Sequence, residues 1–287
     1  MWSTAHRAEF DDRGFARLEG TFDRMTAGRM REVAWRELEQ RYGVRPPGLD
    51  TPWPAFVSGM KSTKRHRVFD ALGTPALASA LDDLLGHGRW EWPKQWGNVL
   101  VTPPGAGAWT LPHRLWHIDY PYTLPVAPLV ACKVFVFFGD VEPGGGGTLL
   151  LERSHRLTEQ HVAELTVDDR KEYRRVRDAF LRHDPWLRAL TNRLALDDPD
   201  RVRHFLDDGA VVDGVPTKVV ELTGRPGDVI VTHPWIYHCA APNVNAVPRF
   251  MRGTGFLRRS RVAERGSDER EAAVDGEDLA GDVARGR

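Results

Sequence analysis

The pattern of apolar and polar positions changes near residue 94, and the two parts predict different kinds of structure. Before that point, apolar residues recur at the helical period in two stretches. One begins at Thr26, a predicted N-cap, and runs to about Tyr42, and the other covers residues 75–86. Residues 10–22 predict a short turn and a strand. The N-terminal part is therefore predicted to be mostly helical.

From residue 94 onward, short runs rich in β-branched and aromatic residues alternate with Gly, Pro and Asn. Short strands with frequent turns predict a β-sandwich or barrel. A charged block, residues 158–207, interrupts the strands, and the spacing of Tyr173, Val176 and Phe180 within it is helical. The sequence thus predicts a mainly β fold with flanking helices, in which a jelly-roll core carries N-terminal helices and a helical insert. The strand-like runs are QWGNVLVTPPG, LVACKVFVFFGDV, GTLLLERSH, TKVVELTGRPGDVIVTHP and RFMRGTGFLRR.

Residues 1–257 are predicted to form one domain, with the insert placed in a connection between strands. Residues 258–287 are charged and almost free of large apolar side chains, which predicts a disordered tail.

The charge balance excludes some classes of partner. Forty basic and forty acidic side chains give a formal net charge of zero, so no global basic field favours nucleic acid or an anionic membrane. No apolar run reaches the length of a membrane span, and the first thirty residues lack a signal-peptide pattern. Two cysteines are too few for a disulfide framework. These features predict a cytoplasmic protein and leave its oligomeric state open.

The segment Leu115–Tyr120 carries the strongest local chemical signal. His117 and Asp119 are two positions apart, so on a strand both side chains point to the same face. An imidazole and a carboxylate on one face can bind a divalent metal, and a distant histidine would complete a two-His, one-carboxylate triad with open coordination positions. The alternative is a surface histidine beside a turn aspartate.

A second segment supplies candidates for the missing ligand. GDVIVTHPWIYH begins with a Gly-Asp turn, runs as an apolar strand and contains His233 and His238. Arg249 follows on the next predicted strand, where its guanidinium fork suits one carboxylate of a dicarboxylate whose keto-acid end chelates the metal. The alternatives are a core histidine bonded to the backbone and an ordinary surface arginine.

Four motifs in order give the chain a resemblance that covers about residues 10–257. FDDRGFARLEG, WHIDY, GGGGTLLLERSH and GDVIVTHPWIYHCAAPNVNAVPR resemble the phytanoyl-CoA dioxygenase family of Fe(II)/2-oxoglutarate-dependent oxygenases. The resemblance implies a double-stranded β-helix of the cupin type, which is a jelly roll. It also implies that His117, Asp119 and His238 bind Fe(II), and that Arg249 binds the distal carboxylate of 2-oxoglutarate.

The same resemblance assigns further residues and shows two departures. His233 takes a structural role or one beside the metal ligands, and Asn98 is a candidate contact for the cosubstrate. The chain has Glu152-Arg153-Ser154-His155 where the family usually has Pro-Gly-Ser-His, and Ala240 where a small hydroxyl residue is common. Related halogenases replace the metal-binding carboxylate, so Asp119 favours oxygenation over halogenation.

The resemblance, together with the ligand pattern, implies a non-haem Fe(II)/2-oxoglutarate-dependent dioxygenase that hydroxylates an unactivated C–H bond of a small organic molecule. A natural-product intermediate or an amino-acid derivative is the expected substrate, and dioxygen, CO2 and succinate complete the reaction. Trp116, Tyr120 and Trp235 are candidate pocket residues, with core packing as the alternative, and the insert could serve as a lid. The rival functions are a metal-dependent isomerase or hydrolase that does not use 2-oxoglutarate, and a non-catalytic jelly roll that binds small molecules.

Overall fold

Helices make up most of the N-terminal part of the chain in our computed structural model, which describes residues 1–48, 52–54, 57, 60–193, 196 and 198–259. Helix α1 (Thr4–Arg13) leads into strand β1 (Phe15–Leu18), and α2 (Arg24–Tyr42) and α3 (Pro75–Leu85) follow. The sequence prediction for residues 10–22 missed α1. Only Phe10 of this helix is buried, so its sequence carries little apolar periodicity.

The N-cap of helix α2 lies three residues before the predicted one. The side chain of Asp23 accepts a hydrogen bond from the Thr26 N–H at 2.6 Å, which makes Asp23 the N-cap and places Thr26 in the first turn. Helix α3 agrees with the prediction for residues 75–86. Thr74 caps it, and Pro75 occupies the first helical position, where a missing N–H costs nothing.

The β core consists of two antiparallel sheets. The larger sheet has the strand order β1–β8–β3–β10–β2, and the smaller sheet has the order β7–β4–β9. A separate hairpin pairs β5 with β6. The strands are β2 (Asn98–Thr102), β3 (Ala131–Phe137), β4 (Thr148–Leu151), β5 (Ala210–Val212), β6 (Val215–Thr217), β7 (Val219–Glu221), β8 (Val229–Thr232), β9 (His238–Ala240) and β10 (Arg249–Leu257).

Side-chain alternation on β3 defines an inner and an outer layer. Phe135 and Phe137 pack against Leu150 of β4 in the layer between the two sheets. Cys132 and Val134 point the opposite way and pack in the cluster that includes α2 and α3. Two sheets joined by an apolar inner layer and covered by helices form the predicted jelly roll.

Helices occupy the connection between β4 and β5, where the sequence predicted an insert over residues 158–207. Their apolar side chains join a cluster with Leu149 and Leu151, which lie on the outer face of β4. The helical connection therefore covers the outer face of the smaller sheet. Its elements are α4 (Ser154–Ala163), α5 (Val167–Lys171), α6 (Tyr173–His183), α7 (Pro185–Thr191) and a short π-helical segment, Arg203–Asp208.

The predicted tail begins at residue 258, but residues 260–287 lie outside the described residues. Among the described helices, none is both long enough and apolar enough to cross a membrane.

Two histidines, the buried His155 and the half-buried His233, join α1 to the β core. His155 Nε2 lies 3.3 Å from the Asp11 carbonyl oxygen, and the His155 ring centroid is 4.9 Å from that of His233. Gly14 has φ 84°, and a Cβ at that position would lie 2.5 Å from His155 Nδ1. Burial lowers the pKa of His155 to about 4 and holds the pKa of His233 well below its usual range. Both rings are therefore neutral in the folded protein at neutral pH.

We expect these histidines to make the fold sensitive to acid. The unfolded chain binds protons at both rings below about pH 6.5, whereas the folded protein does not, so stability falls as the pH drops from 6.5 towards 4. The His155 shift from 6.5 to about 4 corresponds to about 3 kcal/mol. Urea unfolding with a chelator, at about pH 5 and pH 7.5, should show a smaller loss for His155→Gln than for the wild type.

The exposed His87 offers a matched control, because its side chain is 92% exposed. His87→Gln should keep the acid sensitivity of the wild type. An unchanged loss of stability in His155→Gln would contradict the assignment.

Candidate functional site

His117 and His238 form an isolated antiparallel β-bridge, a single rung of backbone pairing. The His117 N–H donates to the His238 carbonyl at 3.1 Å, and the His238 N–H donates back to the His117 carbonyl at 2.9 Å. A pair that exchanges both hydrogen bonds places its side chains side by side on one face. The two ring centroids are accordingly 4.3 Å apart.

Asp119 adds a carboxylate to the same face. His238 Nε2 lies 3.2 Å from one carboxylate oxygen, and His117 Nε2 lies 3.6 Å from the other. The Nδ1 atoms of both rings contact backbone carbonyls two residues earlier, those of Leu115 at 2.6 Å and Ile236 at 3.1 Å. Such a bond holds the proton on Nδ1 and leaves the Nε2 lone pair available for a metal.

This donor set fits a divalent metal ion. One ligand atom from each of His117, Asp119 and His238 lies within 4.8 Å of the other two, and in the described part of the chain this is the only such group of three. Two imidazoles and one carboxylate are the donors of the facial triad that binds non-haem Fe(II). The structure brings together all three residues that the sequence predicted as ligands.

Lys133 is a charged residue at this site that the sequence analysis missed. Its ammonium group contacts the Asp119 carboxylate. Burial alone raises the pKa of Asp119, but Lys133 and the two imidazoles outweigh burial and hold that pKa well below its usual range. Gly253 makes room for the lysine, because a Cβ there would lie 3.2 Å from Lys133 Cε. A lysine within an otherwise apolar strand was the signal that could have identified it.

Arg249 is a buried cation whose donors are largely unused. It is 4% exposed, its Nη1 lies 3.4 Å from Thr148 Oγ1, and its Nε has no hydrogen-bond partner among the described residues. Burial lowers the pKa of Arg249 to about 10, so the guanidinium remains charged at neutral pH. A desolvated guanidinium with open donors fits the carboxylate of a dicarboxylate ligand.

Glu221 is the acidic neighbour of Arg249, and nothing in the sequence pattern pointed to it. The Gly144 N–H donates to one of its oxygens at 3.0 Å, and the other oxygen is buried without a partner in the described part of the chain. Burial raises the pKa of Glu221. Glu221 raises the pKa of Arg249, but burial lowers it more.

The three predicted pocket aromatics are buried, and their polar atoms are bonded to the backbone. Trp116 Nε1 donates to the Pro112 carbonyl at 3.0 Å, and Trp235 Nε1 donates to the Pro121 carbonyl at 3.3 Å. The Tyr120 hydroxyl donates to the Cys132 carbonyl at 2.7 Å. Their contact with a substrate stays a prediction.

The two remaining predicted residues take different places. Asn98 begins β2, where its backbone pairs with Gly253, and its side chain lies outside the described ones. The His233 ring packs against Phe10 and His155, which is consistent with the structural alternative given for it.

The family model of phytanoyl-CoA dioxygenase (PhyH) matches residues 10–251. No curated protein matches the chain.

Among solved structures, the chain is similar to EvdO2 from Micromonospora carbonacea var. aurantiaca complexed with 2-oxoglutarate, with 19% identity over 90% of this chain and 91% of that chain and a TM-score of 0.50. It is also similar to the epimerase SnoN in complex with Fe3+, α-ketoglutarate and nogalamycin RO, with 16% identity over 93% and 92% of the two chains and a TM-score of 0.50. AviO1 from Streptomyces viridochromogenes Tue57 gives 18% identity, 88% and 93% coverage and a TM-score of 0.50. These similarities confirm the jelly-roll fold.

Proposed function

Since the chain belongs to the phytanoyl-CoA dioxygenase family, we propose that it is a non-haem Fe(II)- and 2-oxoglutarate-dependent dioxygenase that hydroxylates a small organic molecule. The matched residues, 10–251, include the His117–Asp119 segment, His238 and Arg249. The protein is thus an enzyme of an Fe(II)/2-oxoglutarate-dependent family, and hydroxylation is the outcome we propose for it.

The position of Arg249 relative to the triad carries the proposal. Arg249 and Met251 lie on the same side of β10, and Met251 packs in the inner layer with Phe135. The ring of Phe135 lies 5.5 Å from that of His238. The metal-binding group (His117, Asp119 and His238) and the guanidinium of Arg249 therefore both face the space between the two sheets. A ligand that binds the metal at one end and Arg249 at the other needs this arrangement.

Each part of this arrangement has a chemical role. His117, Asp119 and His238 would hold Fe(II), and the guanidinium of Arg249 would orient 2-oxoglutarate through its distal carboxylate. Fe(II), 2-oxoglutarate and dioxygen supply the oxidation when bound, with CO2 and succinate as products. The phenylalanines of the inner layer exclude water, which strengthens the charge–charge contact at Arg249.

A small organic substrate is the class that the site favours. The formal net charge of the chain is zero, and the aromatic residues Trp116, Tyr120 and Trp235 flank the ligand segments. The structure of SnoN, which holds nogalamycin RO, is a precedent for a natural product in this fold. A natural-product intermediate or an amino-acid derivative therefore remains our proposal. SnoN is an epimerase, so epimerisation is the competing outcome at the same kind of centre.

Succinate formation tests the proposed function. Protein loaded anaerobically with Fe(II) should convert 2-oxoglutarate to succinate once air and an accepted small molecule are added, and His117→Ala should not. The mass of the product separates the outcomes, because hydroxylation adds one oxygen atom and epimerisation leaves the mass unchanged.

The rival functions give different results. A jelly-roll isomerase or hydrolase would turn over substrate without consuming 2-oxoglutarate, and a binding protein would turn over nothing. Equal succinate formation by the wild type and His117→Ala, or none across a broad panel of small molecules, would contradict the proposal.

A further inference from the structure

Within the described ranges, the segment that carries two of the metal ligands has a strand partner on one edge only, the edge that faces His238. His117 uses its N–H and carbonyl for the rung with His238. Successive residues of an extended chain direct these groups to opposite edges, so those of Ile118 point away from β9. Buried backbone groups need a partner, and an unpaired edge is costly.

The hydroxyl of Tyr173 is the hydrogen-bond partner of the Ile118 backbone at this edge. It donates to the Ile118 carbonyl at 2.6 Å and accepts from the Ile118 N–H at 3.2 Å. One side chain thus replaces the two hydrogen bonds of a neighbouring strand. Ile118 lies between His117 and Asp119, so the contact fixes the backbone at the midpoint of the ligand pair.

The same helix also contacts the other ligand segment. Tyr173 is the first residue of α6, and Phe180 lies two helical turns further along on the same side. The Phe180 ring stacks on Tyr237 with a centroid distance of 4.4 Å and an interplanar angle of 12°. Tyr237 directly precedes His238 in the other ligand segment. Helix α6 therefore packs behind both ligand segments.

We propose that Tyr173 is a positioning residue that fixes the spacing of His117 and Asp119. Helix α6 then holds the metal-binding group in place by packing against both ligand segments. Movement of α6 as a lid would break both bonds to Ile118 and separate the buried Phe180 from Tyr237. This inference rests on the proposed metal-binding role of the triad.

Metal affinity tests the inference without requiring the substrate. We would measure Co(II) binding, as an air-stable substitute for Fe(II), by competition with a chromophoric chelator. Tyr173→Phe removes only the hydroxyl, and we expect it to weaken Co(II) binding about tenfold, at the low end of the cost of losing groups that support metal ligands. The visible absorption of bound Co(II) should also change, because the ligand geometry changes.

Tyr122→Phe is the matched control. It removes a hydroxyl from the same aromatic cluster, where the described partner of that hydroxyl is Tyr237 and not Ile118. We expect its Co(II) affinity to stay within about twofold of the wild type. Amide exchange of the metal-free wild type gives a second measurement, independent of any variant, in which the Ile118 N–H should exchange as slowly as the His117 and His238 N–H groups.

The outcomes distinguish a failure of the proposed function from a failure of the role proposed for Tyr173. Wild-type protein that binds no Co(II) would contradict the proposed function itself. Wild-type binding with a folded Tyr173→Phe that binds equally well, or an equal loss in Tyr122→Phe, would overturn only the role of Tyr173. Rapid exchange of the Ile118 amide would overturn it as well, even if Tyr173→Phe did not fold.

Discussion

Replacing His238 with alanine should abolish both metal binding and succinate formation. The His238 ring is buried, its Nε2 lies 3.2 Å from Asp119, and its Nδ1 is held by the Ile236 carbonyl. Loss of a group that only supports a ligand typically costs 10- to 100-fold in metal affinity, so loss of a ligand itself should exceed about 100-fold. Equilibrium dialysis with Co(II) measures the first effect, and succinate measured after addition of Fe(II) and air measures the second.

His233→Ala is the control for this experiment. His233 lies five residues earlier in the same segment and packs against Phe10 and His155. Its replacement should lower the unfolding temperature while leaving Co(II) affinity close to that of the wild type. If His233→Ala lost the metal and His238→Ala kept it, the assignment of ligands would be wrong.

Replacing Arg249 with methionine should remove most of the affinity for 2-oxoglutarate. Loss of one partner from a buried, hydrogen-bonded charge pair costs about 2 to 5 kcal/mol, which corresponds to a factor of about 30 to several thousand in Kd. Calorimetry on protein loaded with Co(II) and free of oxygen would measure this Kd directly.

The same change should not destabilise the ligand-free protein. Arg249 is desolvated, and its Nε has no hydrogen-bond partner among the described residues. Burial lowers the pKa of Arg249 more than Glu221 raises it, so the charge is held at a net cost. A methionine of similar length removes that cost, so the unfolding temperature should stay level or rise. In the wild type alone, 2-oxoglutarate should raise that temperature.

Arg252 offers a control on the same strand. It is also fully buried, but it lies on the opposite face of β10 and donates to the carbonyls of Trp96, Gly97 and Thr63. Its guanidinium carbon lies 3.8 Å from the ring centroid of Phe69. Arg252→Met should therefore lower the unfolding temperature and spare the affinity for 2-oxoglutarate. The opposite pattern in the two variants would contradict the role proposed for Arg249.

Local sequence patterns predicted the two ligand segments, and the family resemblance then selected His238 over His233 as the third ligand. His117 and Asp119 share a face through strand alternation. The apolar run that the Gly-Asp turn introduces forms β8 and ends at Thr232, whereas His238 begins β9 in the other sheet, so the single predicted strand is two strands. The jelly roll followed from the same alternation and from the turns between strands. Helix α1 was missed because one buried side chain, Phe10, leaves almost no periodicity to detect.

Local sequence patterns could not predict contacts between segments that are distant in the chain. Glu221 approaches Arg249, and Tyr173 approaches Ile118, only after two parts of the chain have folded against each other. The helical spacing of Tyr173 and Phe180 predicted one buried side of a helix, but it did not indicate what that side covers. Lys133 differs, because a lysine in a strand of apolar residues was visible in the sequence.

The rung between His117 and His238 also affects the folding of the whole chain. It joins two positions on the order of 120 residues apart, and strands β3 to β8 and the helical connection lie between them in the sequence. Closing a loop of that length costs about 4 kcal/mol or more in chain entropy. An ion that binds both imidazoles would act as a reversible cross-link across this loop. The metal-binding group is then part of the energetics of folding as well as of the proposed chemistry, much as a disulfide would be in a protein with paired cysteines.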